Sequence, residues 1–172
     1  MSTDRSGLFR VFQIPGDHPY LRPLVPTPEL SSTSTSTEVF TPEWVQEHAD
    51  SLDVVHLHFG FDRVPALQLA EWVSELQRHD LPLVFTVHDL TPFDGLGAVP
   101  DLDHQRKLDM LVADAAAVLA LTDADAETVH SRWGRSAEVA PYPLGEEQAT
   151  QMRCVHARLY AQLARARRGT AA

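Results

Sequence analysis

The segment DVVHLHFG at residues 53–60 is a continuous run of apolar and β-branched side chains that ends at a glycine. Such a run is typical of a strand that is buried on both faces of a parallel sheet. An apolar stripe with helical spacing follows over residues 64–77, and a second apolar run, LPLVFTV, occupies residues 81–87. A strand, a helix and a strand in this order predict a βαβ unit.

The same alternation continues on both sides of this unit. Further apolar runs predict strands at residues 8–14, 38–40, 116–121 and 137–140. Helical patterns with apolar stripes or capping signals predict helices that begin at residue 42 and that cover residues 103–114, 122–133 and 146–168. We therefore expect one α/β domain, a Rossmann-like parallel sheet flanked by helices on both faces.

Composition excludes several classes of function. The chain has 172 residues and a formal net charge of −10, which argues against a nucleic-acid ligand held through its phosphates. No apolar run reaches the roughly 20 residues of a membrane span, and residues 1–7 lack a secretory signal pattern. The lone cysteine, Cys154, fits a reducing compartment, so we expect a cytoplasmic protein in which this thiol is packed.

Two segments stand apart in composition. Residues 31–37 read SSTSTST, a low-complexity stretch that predicts a surface loop within the domain. After Glu147 the chain has five arginines and no acidic residue. These arginines form either an interaction tail or the C-terminal end of a helix, and the helix dipole favours the second interpretation.

Polar side chains follow three of the predicted strands, at the sheet edge where parallel α/β domains bind ligands. The three groups are GDHPY at residues 16–20, HLHFGFD at residues 56–62 and TVHD at residues 86–89. They supply the candidate site residues Gly16, His18, Tyr20, His56, His58, Asp62, His88 and Asp89.

A metal site is one interpretation of these histidines, because His56 and His58 share one face of a strand. No other ligand spacing supports a metal ion, so a structural or substrate-contact role is favoured, and we expect no bound metal and no cofactor. The sequence also lacks a Gly-x-Ser-x-Gly elbow, a P-loop, and a Gly-x-Gly-x-x-Gly fingerprint after the first strand.

Four segments, taken in order, resemble the N-terminal domain of family-4 glycosyltransferases of an actinobacterial type. They are GDHPYLRPL at residues 16–24, DVVHLHFGFD at residues 53–62, PLVFTVHDL at residues 82–90 and ADAAAVLALTDADAETVHSRWGRSAEVAPYPLG at residues 113–145. The resemblance extends over residues 8–145. It implies a single half of a two-domain GT-B fold, the half that holds the sugar acceptor.

The resemblance also implies roles for individual residues. His88 matches the catalytic histidine that reaches the sugar and its leaving phosphate, and Asp89 follows it in the same motif. The loop that contains Gly16, His18 and Tyr20 matches the loop that faces the donor phosphates and the acceptor.

The acceptor-side wall of the family matches His56, His58 and Asp62, although a core position is an equal alternative for His56. Complete family members transfer a sugar with retained configuration and without a metal. Stabilisation of the leaving diphosphate supplies much of the catalysis in that setting.

The sequence departs from the family pattern after Gly145. A complete member continues into a donor domain with a Glu-x7-Glu motif, whereas Glu146 and Glu147 have no glutamate eight residues later. Residues 146–172 instead resemble the family's final helix, which packs back on the N-terminal domain. We therefore divide the chain into a Rossmann-like domain at residues 1–145 and a returning amphipathic helix at residues 146–172.

These features predict a retaining glycosyltransferase-like acceptor domain without its donor half, acting with a separate donor domain or inactive alone. A nucleotide-sugar is expected to bind only together with a second domain. One alternative is a binding or regulatory module that pairs with a complete transferase, with another protein partner or as a homodimer. The other is a metal-dependent hydrolase built on His56, His58, His88 and Asp89.

Overall fold

Five parallel strands form one sheet in this computed structural model, and their spatial order is the chain order. The strands are β1 (Val11–Ile14), β2 (Val54–Leu57), β3 (Leu83–Val87), β4 (Ala117–Ala120) and β5 (Ala137–Val139). The helices are α1 (Pro42–His48), α2 (Ala66–Arg78), α3 (Leu102–Asp114), α4 (Asp123–Trp133) and α5 (Glu146–Thr170). The structure describes residues 9–21, 24, 36–88, 90 and 102–170.

The predicted α/β fold with a Rossmann-like parallel sheet is confirmed, with one correction to its strands. Residues 38–40 form a turn rather than a strand. The backbone N–H of Phe40 donates to the carbonyl of Thr37 at 3.2 Å, and this turn delivers the buried Phe40 ring to the core. Of the predicted loop at residues 31–37, residues 31–35 lie outside the described residues.

The predicted helix starts are also confirmed. The hydroxyl of Thr41 accepts the backbone N–H of Trp44 at 3.2 Å, and Pro42 occupies the first turn. Thr122 caps α4 in the same way. Each cap satisfies a backbone donor that has no partner within its helix.

Strand order decides which face of the sheet each helix covers. Every connection moves one place across the sheet in the same direction, and right-handed connections then put their helices on one common face. Helices α1 to α4 accordingly share one apolar core with that face. Their buried contributions include Val45, Leu69, Leu111 and Val129.

The opposite face of the sheet is covered by α5. Val155 and Leu159 of this helix pack there against Val54, Val84 and Leu119. Because buried apolar area is the main source of stability in a domain of this size, this helix is part of the folded core and not a peripheral addition.

Helix α5 lies antiparallel to the strands. Near its N-terminus, Met152 packs with Leu21, beyond the carboxyl end of β1. Near its C-terminus, Arg167 donates to the carbonyls of Ala49 and Leu52, which precede β2. The first half of the helix therefore covers the carboxyl edge of the sheet and the second half covers the amino edge.

Arginines fasten the C-terminal end of α5 to the domain. Arg167 also donates to the carbonyl of His79, and Arg168 forms an ion pair with Asp53 at 2.9 Å. These contacts agree with the helix-end interpretation of the basic segment and not with a detached tail.

The position of Cys154 differs from the packed one that we predicted. Its side chain is exposed, because it lies on the side of α5 that faces away from the apolar stripe. None of the described helices, α5 included, is long and apolar enough to cross a membrane.

We expect Leu159→Ala to lower the free energy of unfolding by about 2–5 kcal/mol, because Leu159 is buried between α5 and the sheet. Urea unfolding followed by circular dichroism measures the change. Leu67→Ala is the matched control: Leu67 is 73% exposed, so its truncation should cost less than about 0.5 kcal/mol. Equal stability of Leu159→Ala and the unmodified chain would show that α5 does not complete the core.

Candidate functional site

Side chains on the α5 face of the sheet change from apolar to polar toward the carboxyl edge. On β2 the buried Val54 is followed on the same face by His56 and then, just past the strand, by His58. On β3 Thr86 is followed in the same way by His88. Strand geometry, with side chains alternating between faces, brings these groups together beneath α5.

Helix α5 provides polar groups that match the inner part of this surface. The phenol oxygen of Tyr160 lies 2.5 Å from Nδ1 of His56, and Nε2 of His56 lies 2.7 Å from the hydroxyl of Thr86. The ring of His156 stacks against His56 with centroids 5.4 Å apart. His56 is fully buried and both of its ring nitrogens are hydrogen-bonded, which corresponds to the core alternative for this residue.

The outer part of the surface is connected to the inner part through Gln13 of β1. Its side-chain oxygen lies 2.9 Å from Nε2 of His58, and its side-chain nitrogen lies 3.0 Å from the phenol oxygen of Tyr160. Nε2 of His88 lies 3.5 Å from Nδ1 of His58. Hydrogen bonds therefore run without a break from Thr86, in the interior, to His88 at the edge.

Four ring side chains, which we call the edge cluster, surround the end of this path: His18, Tyr20, Phe59 and His88. The ring of His88 lies on Phe59 with centroids 3.9 Å apart and meets the ring of Tyr20 edge-on at 5.0 Å. His18 approaches the other end of Phe59 at 4.9 Å. The cluster brings side chains from the ends of β1, β2 and β3 together at the edge where parallel sheets bind ligands.

Tyr20 is the buried member of the edge cluster, with 1% of its surface exposed. Its backbone N–H donates to Nδ1 of His18 at 3.3 Å. Burial, with a smaller contribution from Tyr142, raises the pKa of the Tyr20 phenol well above its usual value, so the hydroxyl stays protonated. Gly16 precedes this turn, half-buried, two residues after β1.

Asp62 stands at the side of the cluster and is turned toward α3. Its carboxylate lies 2.6 Å from Nδ1 of His104, and its backbone carbonyl accepts from Lys107 at 3.0 Å. A cavity of about 20 Å³, enough for one water molecule, is lined in common by Asp62, His58 and His88. Asp62 thus borders the same space as the two histidines without bonding to either.

The structure brings together most of the residues that we singled out from the sequence. His18, Tyr20, His58 and His88 meet at the carboxyl edge. Asp89, the remaining candidate, lies outside the described residues.

Sequence reasoning missed three members of the hydrogen-bonded path and its surroundings, Gln13, His156 and Tyr160, and it gave no role to Thr86 at the end of the third strand. A weak signal existed for them. Gln13 is a polar residue inside an apolar strand, and two polar ring residues one helical turn apart interrupt the apolar stripe of α5. Their mutual contact, however, depends on how the helix is laid across the sheet.

Four buried histidines of this region are held in the neutral state. Burial lowers the pKa of His88 to about 3, with His18 as a lesser cause, and burial lowers the pKa of His156 to about 4. Burial, and then the neighbouring histidines, hold the pKa values of His56 and His58 well below the usual range. At neutral pH the site therefore offers uncharged rings that donate and accept hydrogen bonds.

Two larger cavities, of about 350 and 430 Å³, lie at the opposite, amino edge of the sheet. Both are bordered by Arg167, whose guanidinium already bonds to backbone carbonyls. We assign the site to the carboxyl edge because the converging polar side chains lie there. Among the described residues, no group of three histidine, cysteine, aspartate or glutamate side chains is placed to hold a metal ion.

Comparison with known proteins gives one match. The family of the glycosyl transferase 4-like domain matches residues 4–145, which include every residue of the edge cluster. No curated protein and no solved structure matches the chain.

We expect acid to destabilise the protein beginning below about pH 6.5. The four histidines with lowered pKa values, His56, His58, His88 and His156, stay neutral when folded, whereas the unfolded chain protonates them. The stability is therefore complete above about pH 7, and each histidine removes about 1.4 kcal/mol per pH unit as the pH falls toward its folded pKa.

Urea unfolding between about pH 8 and about pH 5 measures this dependence. In His156→Gln, the slope of the free energy of unfolding against pH should be smaller by the contribution of one histidine. A free energy of unfolding that stays constant from about pH 7 to about pH 5 would contradict the expectation.

Proposed function

The chain belongs to the glycosyl transferase 4-like domain family, and on that premise we propose that it is the acceptor-binding half of a retaining glycosyltransferase. In this proposal residues 1–145 are the acceptor domain of a GT-B enzyme, and residues 146–172 are the helix that completes it. The sugar acceptor lies across the edge cluster, and His88 contacts the sugar that reacts.

The edge cluster is the observation that carries the proposal. It sits where parallel sheets bind ligands, and it combines aromatic side chains with the neutral imidazole of His88. Aromatic faces offer apolar area to the C–H groups of a sugar ring, and neutral imidazoles exchange hydrogen bonds with hydroxyl groups. A polyhydroxylated acceptor fits this combination better than a charged ligand does.

The side-chain charges near the edge cluster favour a donor site on a separate domain. A nucleotide diphosphate is held by cations or by backbone N–H groups at helix starts. Among the described residues, no lysine or arginine belongs to the edge cluster, and the nearby Lys107 is bound to Asp103 and to the carbonyl of Asp62. We therefore propose that the nucleotide-sugar binds only when a donor domain closes on this half.

A second candidate is a binding or regulatory module that pairs with a complete transferase or with another copy of the chain. It is favoured by Tyr142 and Leu144, which are 41% and 85% exposed beside the edge cluster. Apolar side chains exposed next to a site are typical of a protein interface. The metal-dependent hydrolase gains no comparable support from the described residues.

We expect simple sugars and alkyl glycosides to bind the chain with dissociation constants of about 1 mM or weaker, because in this proposal the chain supplies only the acceptor side of the cleft. Amide signals in a ¹H–¹⁵N spectrum should shift at residues 16–20, 58–60 and 88. His88→Ala should reduce these shifts, and His130→Ala, at an exposed site on α4, should leave them unchanged. Shifts confined to the amino edge would refute the proposed acceptor site.

We also expect the isolated chain to bind uridine and guanosine diphosphate sugars too weakly for calorimetry and to transfer no sugar. The remaining contacts do not offset the translational and rotational entropy lost on binding, which costs several kcal/mol. Calorimetry and an assay for released nucleoside diphosphate test this. Micromolar binding, or turnover that disappears in His88→Ala, would show that this half holds a complete active site.

A further inference from the structure

The donor and acceptor roles along the hydrogen-bonded path beneath α5 are linked, because each of its groups can donate only a limited number of hydrogen bonds. The path contains, in order, Thr86, His56, Tyr160, Gln13, His58 and His88. An uncharged imidazole has one N–H and one bare nitrogen, and a side-chain amide has a donor end and an acceptor end. The orientation of one member therefore constrains its neighbours.

Gln13 sets the direction for the outer half of the path. Its side-chain nitrogen faces the phenol oxygen of Tyr160 and donates to it, so its oxygen faces Nε2 of His58 and must accept. His58 therefore has its proton on Nε2. Since the ring is neutral, Nδ1 of His58 is bare.

The same reasoning extends one step to His88. Its Nε2 faces the bare Nδ1 of His58 at 3.5 Å, so Nε2 of His88 has the proton and donates. Nδ1 of His88 is then bare, and among the described residues it has no hydrogen-bond partner. The ring is held in place by Phe59 on one face and by the edge of Tyr20.

Tyr160 couples the orientation of the Gln13 amide to His56. Its oxygen accepts from Gln13, so its own O–H donates to Nδ1 of His56, 2.5 Å away. His56 then donates from Nε2 to the hydroxyl of Thr86. Turning the amide alone would leave an unmatched polar atom in the interior, at a cost of about 1–3 kcal/mol, so the bonds on this path can reverse only all together.

We propose that Gln13 and Tyr160 are positioning residues which, acting through His58, hold His88 in the single tautomer with Nε2 protonated and Nδ1 bare. Resting on the proposed function, the bare Nδ1 accepts a hydrogen bond from a hydroxyl group of the sugar. Neither Gln13 nor Tyr160 touches that sugar, because both side chains are buried between α5 and the sheet.

This assignment narrows what His88 does. The family resemblance implies a histidine that reaches both the sugar and the leaving phosphate. A phosphate oxygen needs a donor, and here the single N–H of His88 is already used on His58. The low pKa of His88, about 3, also keeps the ring from serving as a cation. The free nitrogen therefore recognises a hydroxyl group, and charge for a diphosphate comes from elsewhere.

Long-range ¹H–¹⁵N spectra of the full-length chain test the tautomer without any ligand, since protonated and bare ring nitrogens have clearly separated ¹⁵N shifts. In the unmodified chain we expect His58 and His88 each to show protonated Nε2 and bare Nδ1. A protonated Nδ1 on His88, or a mixture of tautomers, would overturn the proposal.

Two variants test the positioning role. Gln13→Met removes both amide contacts while keeping a side chain of similar size. Tyr160→Phe removes the hydroxyl and keeps the ring. If one variant does not fold, the other still tests the proposal. Each should convert His88 to a mixture of tautomers, whereas Gln68→Met, whose amide bonds to the carbonyl of Phe40, should not. Unchanged His88 nitrogens in the folded variants would overturn the proposal.

A titration with alkyl glycosides separates this proposal from the proposed function. We expect Gln13→Met and Tyr160→Phe to weaken acceptor binding by about 2- to 10-fold, the worth of one hydrogen bond. If the tautomer responds as expected and no sugar binds at the edge, the positioning role stands and the proposed function falls. If sugars bind equally well to all variants and the tautomer of His88 is unaffected, the proposed function stands and the positioning role falls.

Discussion

Five parallel strands laid down in chain order leave one face of the sheet without a connecting helix, because every right-handed connection returns over the other face. The rest of the structure depends on covering that face. Val54, Val84 and Leu119 would otherwise stand in water, and α5 buries them. Two arginines hold its C-terminal end in place. Arg167 donates to carbonyl groups that precede β2, and Arg168 forms an ion pair with Asp53, the residue just before that strand.

Covering this face also creates the candidate site. The sheet face beneath α5 is partly apolar and partly polar, and the helix presents Leu159 to the apolar part and the hydroxyl of Tyr160 to the polar part. Buried polar groups persist only when they are hydrogen-bonded, so the helix and the strands must match atom by atom in this region. The same dry surroundings keep the histidines neutral. One helix therefore links the stability of the domain to the state of the ring at its edge.

A neutral edge is informative about the chemistry that membership of the glycosyl transferase 4-like family suggests. Sugar hydroxyl groups are recognised by directional hydrogen bonds, for which an uncharged imidazole with a defined tautomer is well suited. A diphosphate leaving group instead needs fixed positive charge. Among the described residues the edge cluster offers the first property without a lysine or arginine for the second, which fits the proposed acceptor role.

The sequence by itself determined the element types and the edge at which to look. Apolar runs such as residues 53–60 can be satisfied only in a buried strand, and polar residues at strand ends, His58 and His88 among them, fall at one edge by the geometry of parallel sheets. Only the tertiary structure decided which polar residues bond to one another. Gln13 and Tyr160 are 147 positions apart, and their contact depends on the height and rotation of α5 over the sheet. Local sequence patterns contain no information about that placement, because it results from the N-terminal and C-terminal halves of α5 packing together against the sheet.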